Sequence, residues 1–218
     1  AVYAIIGVCA LIKVFLLGYL LKNKAHPVFR DAQPIFCVIT ILGGIMGDFT
    51  PLFLFGPIST LRCHGFGGYL LVAITLLYGP LVIKSYRIWK IFDNPTMKNV
   101  NLGVGKLLGA LLSYLLAEIV LIVVTGFTKP IRSAEFMWSA FPQYPEKVRY
   151  QCDASDSPFD IIAYVMGGWP LLFALYLAAK TRNVKGQYSE TKPILAALYT
   201  LICFGGVLLV IAYLIGDT

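Results

Sequence analysis

The sequence is poor in charged residues. Only 13% of its 218 residues are Asp, Glu, Lys or Arg and 58% are hydrophobic, whereas soluble domains carry about 25% charged residues. Such a chain cannot cover itself with polar groups, which excludes a water-soluble globular fold. It also lacks the alternating segments of about ten residues that form transmembrane strands. Membrane-spanning helices, which satisfy their own backbone hydrogen bonds, are the remaining choice.

Residues that carry enzyme chemistry are scarce. The chain has only two histidines, His26 and His64, and no His-Glu-x-x-His pattern. The glycine-rich stretch at 103–106 lacks the spacing and the Ser or Thr of a phosphate-binding loop. Asp48 follows a glycine, as in intramembrane aspartyl proteases, but no partner aspartate accompanies it. We therefore expect a protein that is not an enzyme and needs no cofactor.

Long apolar segments dominate what is present. Each is long enough to cross a hydrocarbon core of about 30 Å as a helix. The six segments cover residues 1–21, 35–55, 63–86, 107–127, 159–179 and 193–215. The sequence therefore predicts an all-α membrane protein that forms one domain over residues 1–218. The connection 128–158 contains four prolines, which forbid one long helix and favour a folded cap.

Positive charge is concentrated on one side of these segments, where twelve of the 18 Lys and Arg residues fall. They follow the first, third and fifth segments: Lys22, Lys24, Arg30, Lys84, Arg87, Lys90, Lys98, Lys106, Lys180, Arg182, Lys185 and Lys192. The positive-inside rule places this side in the cytoplasm. We expect the chain to start outside, in the plasma membrane or another cell-surface membrane such as that of a cilium. The net charge of +7 then reflects topology rather than nucleic-acid binding.

Two cysteines lie on the predicted outer side, where oxidation is permitted. Cys63 opens the third apolar segment and Cys152 lies in the long connection. A disulfide between them would pin this connection to the mouth of the third segment, and two separate thiols are the alternative. Cys9, Cys37 and Cys203 lie within apolar segments and are expected to act as small buried hydrophobic residues.

Three charged residues lie deep in the apolar segments: Lys13, Asp48 and Glu118. Charges in lipid are expensive and usually face the protein interior, where they are paired or hydrated. A Lys13–Asp48 pair is one arrangement that neighbouring first and second segments allow, whereas Glu118 has no evident basic partner. Ligand contacts, a proton path and purely structural contacts all remain open. A transporter would usually show inverted repeats, but the first and last three segments show no such similarity.

The predicted cytoplasmic rim carries one pair of opposite charges. Lys84 ends the third segment and Glu190 precedes the sixth. A contact between them would clamp these two segments, worth about 1 kcal/mol if exposed, which is weak enough for a switch. Two separately hydrated rim charges are the alternative interpretation.

Three stretches carry a family resemblance. One runs from Cys63 to the basic exit Lys84-Ser-Tyr-Arg87-Ile-Trp-Lys90, another is the Arg-Asn and Ser-Glu-Thr-Lys pattern at 180–192, and the third is the turn at 28–34. Together they resemble the membrane domain of class C G-protein-coupled receptors, especially the metabotropic GABA (type B) receptor-like branch. The two cysteines match the outer disulfide of that family.

The resemblance implies a seven-helix receptor bundle, of which this sequence is expected to hold six spans and to lack the seventh. It implies an ionic lock between Lys84 and Glu190, and a relay from an extracellular ligand to a heterotrimeric G protein by helix rearrangement. The surface facing the G protein would comprise Arg30, Arg87, Lys90, Lys180, Arg182 and Lys185. Dimers or larger membrane assemblies, surrounded by lipids, are expected. The alternative function is a structural or assembly subunit of the same fold that does not signal.

Overall fold

The structure is a computed structural model and describes residues 2–26, 33–54, 59–92, 103–137, 148–153 and 158–181. This part of the chain forms helices α1 (Val2–Lys22), α2 (Pro34–Phe49), α3 (Thr60–Phe92), α4 (Val104–Thr128) and α5 (Phe159–Thr181). A 3-10 turn, Thr50–Leu54, follows α2, and strands β1 (Arg132–Met137) and β2 (Val148–Asp153) separate α4 from α5. The sixth predicted segment, 193–215, lies outside the described residues.

Three helical stretches in the described part of the chain are long and apolar enough to cross a membrane: Pro34–Phe53, Thr60–Lys90 and Val104–Thr128. A shorter apolar helical stretch, Val165–Leu177, lies in α5. Large apolar side chains such as Phe15, Leu116 and Phe127 point outward. An apolar exterior of this extent suits lipid as the surrounding solvent, in agreement with the composition.

The second helix is shorter than the sequence predicts for this segment. It begins at Pro34, a position where a missing N–H costs nothing because the first helical donors have no partner anyway. It ends at Phe49, and the chain tightens into the 3-10 turn that contains Pro51. Pro51 cannot donate a backbone hydrogen bond, so the α-helical ladder does not continue to residue 55 as predicted.

The connection between α4 and α5 contains a hairpin in an otherwise helical chain. Strands β1 and β2 are antiparallel, and their register places Ser133 opposite Cys152. The folded cap expected for the connection 128–158 thus contains a small sheet. The sequence shows no hairpin signal here because the strands are too far apart for a tight two-residue turn, the feature that identifies hairpins most reliably.

Contacts divide the chain into two compact units, residues 1–80 with 109–168 and residues 81–108 with 169–218. In the first unit, α1 packs on α2, and the hairpin joins the start of α3 through the contacts described below. In the second unit, Ala174 is fully buried and packs against Leu81, Val82 and Leu171.

Glycine sets the distance between α2 and α3. A Cβ atom on Gly43 would lie 2.6 Å from the carbonyl carbon of Leu76 and 2.8 Å from its Cβ. Both are far inside van der Waals contact, so the two backbones touch only because residue 43 has no side chain. Close helix contact at small residues is a common way to hold helices together in lipid, where burial from water adds nothing.

We expect Gly43→Ala to destabilise the protein by about 1–3 kcal/mol, because the methyl group forces the helices apart. Gly47→Ala is the matched control, since this position on the same helix has no atom within 4 Å of the added Cβ. Alanine is the better helix former, so this control should be neutral or stabilising. Thermal unfolding of both purified variants in detergent is the measurement. Equal midpoints for the two would show that the close contact does not matter.

Candidate functional site

The structure joins Cys63 and Cys152 in a disulfide, with their Cα atoms 5.5 Å apart. Cys63 lies in the first turn of α3 and is only 1% exposed. It packs in an apolar cluster with Leu71 and Ile131, and Ile122 of α4 closes this cluster. The bond therefore attaches the hairpin to the start of α3 within an apolar setting.

Lys13 and Asp48 form an ion pair between α1 and α2. The Lys13 Nζ atom lies 2.6 Å from Oδ1 of Asp48, and it also donates to the carbonyl oxygen of Gly44 at 2.9 Å. A Cβ on Gly44 would lie 3.5 Å from Nζ, an ordinary van der Waals contact, so the lysine packs directly on this turn of α2. The two charges neutralise each other at a depth where either one alone would be expensive.

Glu118 is fully buried in α4 and faces α3. The Thr75 hydroxyl donates a hydrogen bond of 2.6 Å to its Oε1 atom, and Oε2 has no hydrogen-bond partner among the described residues. The three charged residues of the apolar segments therefore belong to two separate contacts. Lys13 pairs with Asp48, and Glu118 accepts a hydrogen bond from the uncharged Thr75. In this arrangement they resemble structural contacts between helices more than a continuous proton path.

Two further polar contacts hold α4 to its neighbours, and neither is evident in the sequence. His64 is buried, and its Nε2 atom lies 2.8 Å from the carbonyl oxygen of Ile122, which can only accept, so Nε2 carries the hydrogen. A Cβ on Gly126 would lie 3.0 Å from this nitrogen. The Tyr114 hydroxyl donates to the carbonyl oxygen of Met166 in α5. The only possible sequence signal was a polar residue in an apolar stretch.

The basic end of the second unit is built around Trp89. The Nζ atoms of Lys90 and Lys180 lie 5.8 and 5.5 Å from the centroid of its ring, and the ring of Tyr86 lies 5.8 Å away. Lys90 is in the last turn of α3 and Lys180 in the last turn of α5. Both lysines are exposed. We call Tyr86, Trp89, Lys90 and Lys180 the basic aromatic cluster.

The remaining predicted rim residues are only partly visible. Lys84 and Arg87 lie on α3 and are half-buried. Four residues lie outside the described part of the chain: Arg30, Arg182, Lys185 and Glu190. The predicted contact between Lys84 and Glu190 is therefore not tested by the structure. Within the described ranges, no group of three or more His, Cys, Asp and Glu side chains could hold a metal ion.

Comparison with known proteins agrees with this architecture. The family described as "7 transmembrane sweet-taste receptor of 3 GCPR" matches residues 1–218, the whole chain. Among curated proteins, metabotropic glutamate receptor-like protein E of Dictyostelium discoideum is 29% identical over 215 residues, which is 98% of this chain and 26% of that protein. Metabotropic glutamate receptor-like protein M of the same organism is 28% identical over 204 residues, 91% of this chain and 27% of that protein.

A third relative, metabotropic glutamate receptor-like protein N of Dictyostelium discoideum, is 25% identical over 207 residues, 91% of this chain and 22% of that protein. This chain thus spans about a quarter of the length of the curated relatives that it matches. The family match covers every described helix as well as the disulfide. The chain therefore belongs to the class C family of seven-transmembrane G-protein-coupled receptors.

Proposed function

We propose that this chain is a receptor membrane domain that relays an extracellular ligand signal to a heterotrimeric G protein by helix rearrangement. The observation that carries the proposal is the composition of α3. This helix bears the disulfide-bonded Cys63 in its first turn and the basic residues Lys84, Arg87 and Lys90 in its last turns. One element thus holds both the anchor of the hairpin and the residues proposed to act on the G protein.

The proposed orientation has the hairpin outside the cell and the basic ends of α3 and α5 in the cytoplasm. The excess of Lys and Arg on that side supports it, as does the disulfide, which needs an oxidising compartment. The plasma membrane is the proposed location, and a dimer is the proposed assembly. The exit of α3 and the pattern at 180–192 support the GABA (type B) receptor-like branch within the class C family.

The switch that we propose is an ionic lock between Lys84 and Glu190. A single rim ion pair is worth about 1 kcal/mol, so it can bias two helix packings without fixing either of them. Breaking the contact should shift the equilibrium towards the active packing. The other proposed G-protein-facing residues, Arg30, Arg87, Lys90, Lys180, Arg182 and Lys185, would supply the positive surface that the G protein meets.

We expect Lys84→Glu and Glu190→Lys each to raise basal G-protein activation about threefold to fivefold, the change that corresponds to about 1 kcal/mol. The double reversal restores an attractive pair and should bring basal activity back towards that of the wild type. The measurement is nucleotide exchange on the G protein, catalysed by the full-length receptor at matched surface expression.

Lys106→Glu is the matched control for charge. Lys106 is an exposed lysine at the start of α4 on the same predicted side of the membrane. This variant makes the same charge change away from the proposed lock, so basal activity should stay unchanged. The lock is wrong if both single reversals leave basal activity at the wild-type level, or if the double reversal adds their effects together.

A further inference from the structure

Helix α5 has a proline in its interior, Pro170. In an α-helix each carbonyl oxygen accepts a hydrogen bond from the N–H four residues later, and proline has no N–H. Pro170 therefore deprives the carbonyl oxygen of Met166 of its helical donor. Both residues lie in the apolar stretch Val165–Leu177. A backbone carbonyl without a partner is costly in such surroundings, because lipid offers no water to replace the missing donor.

The neighbouring helix supplies a donor for this carbonyl. The Tyr114 hydroxyl of α4 donates a hydrogen bond to the same Met166 oxygen, from a position 52 residues earlier in the sequence. One side-chain hydroxyl thus does between two helices what the N–H of residue 170 does in an unbroken helix. The tyrosine and the proline, which look unrelated in the sequence, are two parts of one arrangement.

A second helix, α3, also has a proline in its interior, and its break is closed in a different way. Pro80 is fully buried and deprives the Leu76 carbonyl of its helical donor. At that peptide α2 packs directly on the backbone, since a Cβ on Gly43 would lie 2.6 Å from the Leu76 carbonyl carbon. Releasing this contact requires the two helices to separate. Releasing the contact in α5 requires only that one hydrogen bond breaks.

The turn before Pro170 is also weak by composition. Gly167 and Gly168 lie between Met166 and the proline, and glycine is the poorest helix former after proline. Sharp bends in helices occur mainly at prolines and at pairs of small residues. We propose that Met166–Pro170 is a hinge in α5 and that the Tyr114 hydroxyl is its latch, which holds the helix in one bend.

The hinge does not rest on the proposed function, but its consequence for signalling does. Lys180 lies in the last turn of α5, about 15 Å beyond Pro170 at 1.5 Å per residue. A change of about 20° in the bend therefore moves the backbone of Lys180 by about 5 Å. Lys180 is one of the residues proposed to face the G protein. Releasing the latch would redirect this part of the surface, because α5 then samples bends that the latch excludes.

The test is hydrogen–deuterium exchange of the full-length receptor in detergent, followed in peptides that cover residues 167–174. Tyr114→Phe removes only the hydroxyl and should speed exchange there about tenfold, because it leaves a carbonyl acceptor unpaired. Pro170→Ala restores the N–H, so Tyr114→Phe/Pro170→Ala should exchange as slowly as Pro170→Ala alone. Basal nucleotide exchange on the G protein should rise about twofold in Tyr114→Phe and should match Pro170→Ala in the double variant.

Two controls match these changes. Pro80→Ala restores an N–H in α3, away from the acceptor of Tyr114, so adding Tyr114→Phe should speed exchange by the same factor as in the wild type. Tyr176→Phe removes a hydroxyl from an exposed position on α5 itself and should leave the exchange rate within about twofold of the wild type. If Tyr114→Phe does not fold, adding Pro170→Ala should restore its expression, which shows the same coupling as a yield.

Two results would overturn the hinge. One is exchange at the wild-type rate in Tyr114→Phe, and the other is an equal acceleration with and without Pro170→Ala, which would reduce Tyr114 to a packing contact. Faster exchange with unchanged basal activation would overturn the role in signalling. A wild-type receptor that activates no G protein would contradict the proposed function, and the exchange measurement would still decide whether the hinge exists.

Discussion

Lys13→Met is expected to destabilise the folded receptor by about 3 kcal/mol, because removing one member of a buried ion pair leaves the other charge without compensation. Asp48 would then keep a carboxylate inside the bundle, and its Oδ2 atom already has no hydrogen-bond partner among the described residues. The readout is the thermal midpoint of the purified receptor in detergent, together with its yield at the cell surface. The side chains are 32% and 16% exposed, so the expected loss lies at the lower end of the range for a buried pair.

The two single variants should differ in size. Asp48→Asn leaves Lys13, a long side chain that can bend towards the membrane surface and that keeps the Gly44 carbonyl as an acceptor. Asp48 has a short side chain and lacks this escape, so Lys13→Met should be the more harmful change. Lys13→Met/Asp48→Leu removes both charges and should recover most of the lost stability, because well-packed apolar replacements of a buried ion pair are often neutral or better.

Lys22→Met is the matched control, since it changes the same residue type on the same helix at its exposed last turn. It should change the free energy of unfolding by no more than about 0.5 kcal/mol, as surface substitutions usually do, and the thermal midpoint should stay close to that of the wild type. Additive losses in the double variant, or a Lys13→Met midpoint equal to that of the control, would contradict an energetic role for the pair.

The sequence allows this pair without determining it, because depth in the membrane is the only information that the sequence supplies about the two residues. Lys13 lies about 13 Å from the end of its helix by the rise of 1.5 Å per residue, and Asp48 lies about 21 Å from the same side. Neighbouring antiparallel helices and a flexible lysine allow contact across that difference. The family resemblance adds nothing to this step, which depends only on hydropathy and helix geometry.

Other contacts could not be predicted, because they depend on helix rotation rather than on depth. Thr75 is one hydroxyl in an apolar helix, and most such hydroxyls bond to the carbonyl four residues earlier, as Thr40 and Thr125 do. Nothing in the sequence shows that Thr75 instead donates to Glu118 on the neighbouring helix. His64 has the same difficulty, since its acceptor is a backbone carbonyl that the sequence cannot mark.

The ends of the helices could also be predicted only in part from the hydropathy of the sequence. Composition predicts where a helix must be apolar, but α3 extends to Thr60 and Phe92, beyond the predicted 63–86. The helix continues into polar and basic residues because the backbone ladder does not stop where the lipid does. The end of α2 at Phe49 is set instead by Pro51, a local covalent constraint that the hydropathy pattern hides.

Loss of the disulfide between Cys63 and Cys152 is expected to lower stability by about 2–4 kcal/mol. The two cysteines are 89 residues apart in the sequence, so removing the bond raises the conformational entropy of the unfolded chain. In the folded state it also loosens the apolar cluster around Leu71 and Ile131. Cys63→Ser should show the full loss as a lower thermal midpoint. Cys9→Ala, which alters a cysteine outside any disulfide, should leave the midpoint unchanged.

The two cysteines act as one unit, so their effects should not add. Cys152→Ser should match Cys63→Ser closely, and the double variant should be no less stable than either single one, because the bond is lost only once. Since Cys63 is buried, a mild reductant applied to the folded wild-type protein and then removed should leave the bond intact and the thermal midpoint unchanged. The same reductant applied to partly unfolded protein should reduce the bond and lower the midpoint. A double variant with twice the loss of each single variant would show that the two side chains contribute through packing rather than through their bond.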